Sequence, residues 1–395
     1  MRTATLALAV AVTLGCPAVK AMAHTAGPQS IGNTEELARL QAQIAALQVQ
    51  VEQLAARQQA PQAATPEEPT DGEKRVAALE KLVNRSRIGA TAFFDVTHRD
   101  NTRNGRRTDD SGIGFDVRRF YLSFDHAFDQ RWSMNLTSDF KYISSDGETN
   151  LFVKKAYLQG KFSPLATLRL GSANMAWIPL VEDWYGYRFV EGTLVDRQRM
   201  GTSADWGAHV HGGRGWIHYQ VSVVNGAGYK NPSRSSQVDV EARVGVQPTP
   251  GLIVALGTYH GKLGNDTHGS PALRSAKRGN AMVAWRHAGL RLGAEWFQAD
   301  NWKTVARGDA DRATGWSLWG SHDFGTVEAF ARYDRARPSR RLDPALTDSY
   351  WHAGLAMPLT KDIKLAFACK QGRLRNGASI DTRERECGVW GMAAY

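Results

Sequence analysis

The residues best equipped to do chemistry in this chain are its arginines, and three of them crowd one irregular stretch. Tyr185 to Met200 reads YGYRFVEGTLVDRQRM and sets Arg188, Arg197 and Arg199 beside Glu191 and Asp196. It lies within residues 174–203, which are too irregular for a strand and too aromatic for an idle surface loop. A guanidinium is permanently charged, and its planar donors can grip two oxygens of one anion, so such a group points toward phosphate or related anions. Six further cations, Arg119, Lys155, Arg169, Arg243, Arg286 and Arg291, fall on the polar side of alternating segments. No serine-centred elbow or paired nucleophile motif accompanies them, so no catalytic residue is assigned and an enzyme is not expected. His209 and His211 share a face in GAHVHGG, with His218 on the next segment. Neutral imidazoles at that spacing can hold a metal, but they also serve as plain wet side chains, and no metal or cofactor is assigned.

The elements that position these groups are written with a period of two. In IGATAFFDV the residues Ile88, Ala90, Ala92, Phe94 and Val96 alternate with Thr91, Phe93 and Asp95. In RWSMNLTSDF, Trp132, Met134 and Leu136 alternate with Ser133, Asn135, Thr137 and Asp139. These are strands with one apolar and one wet face. Sixteen such segments of about ten residues, the length a tilted strand needs to cross a bilayer, begin near 87, 114, 130, 150, 166, 204, 215, 236, 251, 278, 289, 313, 325, 348, 361 and 385. Tight turns such as FSPL, PTPG and HAG alternate with long polar loops near 99–113, 144–149, 174–203, 226–235, 262–277, 300–312, 335–347 and 373–384. Loops sorted by length in this way mark an all-β, sixteen-stranded antiparallel transmembrane barrel over 87–395, with outer-membrane lipid around it. A soluble sandwich has no reason to sort its loops so.

The alternation then assigns faces. Phe120, Leu122 and Phe124 outside put Val117, Arg119, Tyr121 and Ser123 inside, and the same parity puts Lys155, Tyr157 and Lys161 inside. Asp95, Asp139, Asp239, Glu241, Glu295 and Glu328 share the inner face, so some of the cations will be paired. Residues 87–395 carry 41 basic against 31 acidic side chains, and the surplus favours anions in the bore. Charge is dispersed rather than blocked, and no nucleic-acid partner is expected. Cys369 and Cys387 fall on the apolar parity of the last two strands, where an antiparallel hairpin could join them as a disulfide.

What precedes the barrel differs. Arg2, the apolar run Ala4 to Val19 and the site Ala21-Met22-Ala23 read as a secretory signal peptide over 1–23, with a lipoprotein signal ending at Cys16 as the competing reading. Leu37, Leu40, Ile44, Leu47, Val51 and Leu54 form a heptad seam, giving a short α-helical coiled coil over 24–58 or a single amphipathic helix. Residues 59–86 read as a flexible linker that ends in a short helix with Val76, Leu79 and Val83.

The stretches FDVRRFYLSFDHAFDQRWSMNLTSDF, NLFVKKAYLQGKFSPLATLRLGSANMAWIPL and YRFVEGTLVDR followed by ADWGAHVHG resemble the phosphate-selective porin O and P family of bacterial outer membranes. The resemblance implies a sixteen-stranded homotrimeric barrel that passes small inorganic anions such as phosphate, with residues 174–203 folded inward as the third loop. The family departs from this chain at Gly192 and Thr193, where many relatives have polar or charged residues. The coiled coil would lie in the periplasm, within reach of peptidoglycan. A non-selective general diffusion porin and a structural tether to the cell wall are the competing functions.

Overall fold

The computed structural model describes residues 33–59, 70–143, 148–377 and 379–395. The expected signal peptide and residues 60–69 of the expected linker lie outside them. The chain forms two units, residues 1–71 and 72–395. In the first, helix α1 (Asn33–Gln59) carries Leu40, Ile44, Leu47, Val51 and Leu54, each more than half exposed. In the second, α2 (Asp71–Arg85) runs straight into the first strand, and Arg85 Nη1 donates to the Phe128 carbonyl at 2.9 Å.

Sixteen long strands follow. They are β1 (Ser86–Arg103), β2 (Gly112–Ala127), β3 (Trp132–Ile143), β4 (Glu148–Ser163) and β5 (Ala166–Asn174). Two short helices, α3 (Ile178–Tyr185) and α4 (Leu194–Arg197), separate these from β6 (Ala204–Arg214), β7 (Ile217–Val224), β8 (Asp239–Thr249) and β9 (Leu252–Gly261). Next come β10 (Ala276–His287), β11 (Leu290–Asp300), β12 (Arg312–Asp323) and β13 (Glu328–Arg337). The last three are β14 (Leu346–Pro358), β15 (Ile363–Asn376) and β16 (Ile380–Ala394). Each pairs antiparallel with its neighbours, and β16 closes on β1 from Thr91 opposite Ala394 to Arg103 opposite Thr382. Tyr395 completes the seam, its N–H donating to the Ala90 carbonyl at 2.8 Å and its own carbonyl accepting from the Ala90 N–H at 3.1 Å. Closure leaves no unpaired edge, which is what lets a sheet sit in hydrocarbon.

Alternation explains the two faces. Val96, Leu122, Leu136, Leu158, Val244, Leu292 and Phe367 are exposed on the outside, while Asp95, Thr137, Asp139, Glu241 and Glu295 are buried within. So continuous an apolar outer surface belongs in lipid.

Two of the four register shifts among the described strands are bulges that correct the expected faces. Opposite β1, the register slips between Phe93 and Phe94, so Arg118 is an extra residue on β2. Val117 therefore lies outward with Phe115, not inward, and Arg118 joins Arg119 on the inner face. On β4 the slip between Thr137 and Ser138 does the same for Lys154 beside Lys155. A bulge lets two consecutive residues share a face, which straight alternation forbids.

Two expected loops are also largely strand. Residues 99–113 form the end of a hairpin, in which Arg106 and Arg107 pair with Arg103 and Thr102 around Asn104 and Gly105, at φ 49° and 79°. Residues 373–384 belong to the β15–β16 hairpin, whose β16 starts at Ile380 rather than near 385. Beyond the bilayer the apolar alternation lapses, while backbone pairing and polar pairs such as Arg373 with Asp381, at 2.7 Å, continue the ladder.

Cys369 and Cys387 lie directly opposite in this hairpin and are bonded, S–S 2.17 Å, across 18 positions of sequence. Replacing both with serine is expected to cost about 3 kcal/mol through the freed unfolded chain. Thermal unfolding in detergent checks this: equal midpoints for the two proteins would refute it.

Candidate functional site

Residues 174–203 pack inside the barrel because the wall opposite them is apolar and small. Trp177, Ile178, Trp184 and Tyr185 are at most 2% exposed, and they cluster with Ala255, Ala284, Ala299 and Ala313 of β9 to β12. Gly257 lies under the Trp177 ring, so that a Cβ there would come within 2.6 Å of it. Where simple alternation predicts a wet inner face, β9 to β12 thus carry a dry seat for the loop.

Polar contacts then hold the loop along its whole length. The Trp177 N–H donates to Glu241 at 2.8 Å and its indole N–H to Glu295 at 2.7 Å. The Tyr185 hydroxyl meets His352 at 3.0 Å, and the Tyr187 hydroxyl donates to Glu328 at 2.7 Å. Arg118 donates to the Val190 carbonyl at 3.1 Å, Arg332 to the Gly192 carbonyl at 2.6 Å and buried Arg278 to the Met200 carbonyl. Lys370 bridges Glu191 at 3.1 Å and Glu386 at 2.7 Å. Arg197 binds Asp334 at 3.0 Å and Asp348 at 2.5 Å, with its guanidinium 4.6 Å from the Tyr350 ring centre.

The nine sequence-predicted cations divide into two groups. Arg119 pairs with Asp139 at 2.9 Å, Arg188 with Glu182 and Arg197 with Asp334, so their charges are largely neutralised. The other six have no carboxylate partner among the described residues. Arg169 is held by Gln159 at 2.8 Å, Arg243 by His218 at 2.7 Å, and Arg286 stacks 4.3 Å from the Trp184 ring centre. Arg291 lies against Gly186, while Lys155 and Arg199 form no hydrogen bond or ion pair with the described residues. His209 is occupied by Ser222 at 2.9 Å and by the Asp205 carbonyl at 3.2 Å.

Three cavities succeed one another down the wall formed by β1 and β2. Toward the long loops, a cavity of about 600 Å³ is lined by Arg99, Arg118, Arg197, Arg199, Lys303, Lys370 and Arg373, with Asp110, Glu191, Asp348, Glu384 and Glu386 between them. Burial and the neighbouring Arg199 push the Lys303 ammonium below its usual pKa range. The next cavity, about 500 Å³, shares four of these arginines and adds Arg119 and Arg188. A third, about 240 Å³, lies at Thr91, Tyr121 and Ser123 and contains Lys154 and Lys155. Near the short turns a separate cavity of about 350 Å³ holds Arg286 and Arg291.

Sequence reading missed Arg99, Arg118, Lys154, Lys303 and Lys370. For two of them a signal existed: in VRRF and VKKA two cations stand together where Phe115–Val117 and Phe120–Leu122, or Leu151–Val153 and Ala156–Leu158, are out of phase. The others depend on which strand ends and loops meet over the bore.

No protein-family model matches the chain, and no curated protein matches it. Among solved structures, the anion-selective porin from Comamonas acidovorans is similar at 11% identity and a TM-score of 0.56 over 78% of this chain and 99% of that one. The outer membrane channel DcaP of Acinetobacter baumannii is similar at 9% and 0.57, over 78% and 97% of the two chains. OmpT of Vibrio cholerae in its trimer form is similar at 9% and 0.53, over 78% and 99%. These likenesses establish the closed porin-type barrel of sixteen strands.

Asp334 is fully buried between Arg332 and Arg197. Asp334→Ala strands Arg332 inside the wall, leaves Arg197 only Asp348, and is expected to cost about 3–5 kcal/mol. It should also release the loop, read as a lower unfolding midpoint with new protease cleavage within residues 186–200. A protein that keeps both its midpoint and its resistance would contradict this anchoring role.

Proposed function

We propose that this chain is an outer-membrane porin of a bacterium, a channel and not an enzyme, whose bore favours small anions of the phosphate class. The observation that carries the reading is Arg199. It is exposed and unpaired, lines two successive cavities, and sits at φ 55°, a backbone conformation that costs an L-residue roughly 1–2 kcal/mol. Glycine would fit there without strain, so a charged side chain held in that position argues for the charge itself.

The surroundings support it. Lys155, Arg169, Arg243, Arg286 and Arg291 bring further charge without a carboxylate partner, and in a narrow bore fixed cations concentrate anions and repel cations. The motifs that resemble the phosphate-selective porin O and P family contain both bulged pairs, Arg118–Arg119 and Lys154–Lys155. A similar barrel belongs to a porin named for anion selectivity. A non-selective diffusion porin is favoured by the pairing of Arg119, Arg188 and Arg197, which leaves the narrow part only moderately positive.

The assembly we propose is a homotrimer, as for the similar OmpT barrel, with the α1 seam joining copies in the periplasm near peptidoglycan. Five aliphatic side chains in heptad spacing have no other use on an isolated helix.

Single-channel recording in a planar bilayer tests the function. A salt gradient should give an anion-selective reversal potential, with added phosphate reducing the chloride current. Arg199→Gly should weaken both effects while the unfolding midpoint holds or rises, and Lys155→Gln should act in the same direction. Cation selectivity in the wild type would overturn the anion reading, and absence of conductance would favour the tether.

A further inference from the structure

The outer wall carries a second set of arginines, beyond the channel. On β11 to β14, Trp296, Trp316, Tyr333 and Trp351 face outward, 39–44% exposed. An aromatic row on a barrel wall marks the boundary between hydrocarbon and headgroups. Past Tyr333, toward the long loops, the next two outward positions of β13 are Arg335 and Arg337, about 7 and 13 Å farther along the strand. On β15 and β16 the outward alternation runs Cys369, Gln371, Arg375 and Cys387, Arg385, Arg383, because Gly372, Leu374, Thr382 and Glu384 line the lumen; Arg373 shares the outward parity but also borders the lumenal cavity. Three of the last four strands, β13, β15 and β16, therefore end in arginines that point away from the bore.

Carboxylates do not balance this set. Asp381 is taken by Arg373 at 2.8 and 2.7 Å, and Arg385 donates to Gln371 at 2.9 Å. The guanidinium groups of Arg335, Arg337, Arg375 and Arg383 form no hydrogen bond or ion pair with the described residues, and the Arg383 Nε is buried without a partner. Arg373 and Arg383 are also directly opposite in register, a like-charge pair that repels. The Cys369–Cys387 disulfide lies four residue pairs below and clamps the hairpin that this repulsion would open.

We infer that the outward arginines of β13, β15 and β16 bind the phosphate groups of an anionic glycolipid of the outer leaflet, of the lipid A kind. Its acyl chains would lie along the apolar wall below the aromatic row, and its phosphates would reach the guanidinium groups above. A second copy of the chain is the poorer occupant. The long-loop ends of β2 and β4 offer it Ile113, Phe115 and Leu151, 73–80% exposed, with no comparable arginine row. The inference extends the porin reading to the outer wall and leaves the bore unchanged.

The test uses the full mature protein in mild detergent with bisphosphorylated lipid A as the probe, read by native mass spectrometry. The wild type should retain the lipid. The triple variant Arg335→Ser, Arg375→Ser, Arg383→Ser should bind on the order of a hundredfold more weakly, while triple lysine replacement should largely restore binding. Channel conductance should be the same in all three, so this result and the channel reading fail separately. Equal binding by the serine variant, or equal binding of a lipid A lacking phosphate, would overturn the proposal. Displacement by millimolar inorganic phosphate would indicate a free-anion site instead, and dissociation of the oligomer in the serine variant would indicate a contact between copies.

Discussion

The carboxylate of Asp334, buried between Arg332 and Arg197, joins wall and loop in a single charge network. Neither arginine could remain in so dry a place alone, because an unpaired buried ion costs far more than a surface one. With Asp334 between them, Arg332 is free to donate to the Gly192 carbonyl and Arg197 to reach Asp348. The loop tip is thereby held against β13 and β14, and the space along β1 and β2 stays open. That attachment fixes the tip of the loop beside Arg199, while the seat under Trp177 and Tyr185 fixes its start.

A division of labour around the barrel results. The quarter built from β9 to β12 gives its inner face to small apolar residues that receive α3 and its aromatic neighbours. The wall formed by β1, β2 and β4 keeps a polar inner face with doubled cations at the two bulges. Carboxylates appear mainly where they hold structure: Glu241 and Glu295 under Trp177, Glu328 under Tyr187, Asp139 under Arg119 and Tyr229. Others, Asp110, Glu191, Asp348, Glu384 and Glu386 among them, line the accessible space beside the cations, so the positive surplus there is modest.

The outer surface obeys the same physics with the solvent inverted. Apolar side chains face outward where hydrocarbon lies, aromatic rings where it ends, and arginines beyond. The hairpin of β15 and β16 carries both extremes within a few residues, and its disulfide joins strands that their own charges would part.

Much of this was legible in residue order. Period-two alternation, turns sorted by length and the cations of alternating strands led to a sixteen-stranded barrel, because facing lipid on one side and water on the other imposes a pattern that each strand records locally. The irregular aromatic segment 174–203 stood out for the same reason, since it broke the pattern. What the tertiary structure alone decided was every relation between distant parts. Arg118 and Lys154 turn inward because their neighbours' register slips by one. Arg197 is neutralised by carboxylates more than 130 residues away, while Arg199, two positions on, is left free. Which cation is paired depends on the strand that the closed barrel brings opposite it, and local alternation contains no information about that closure.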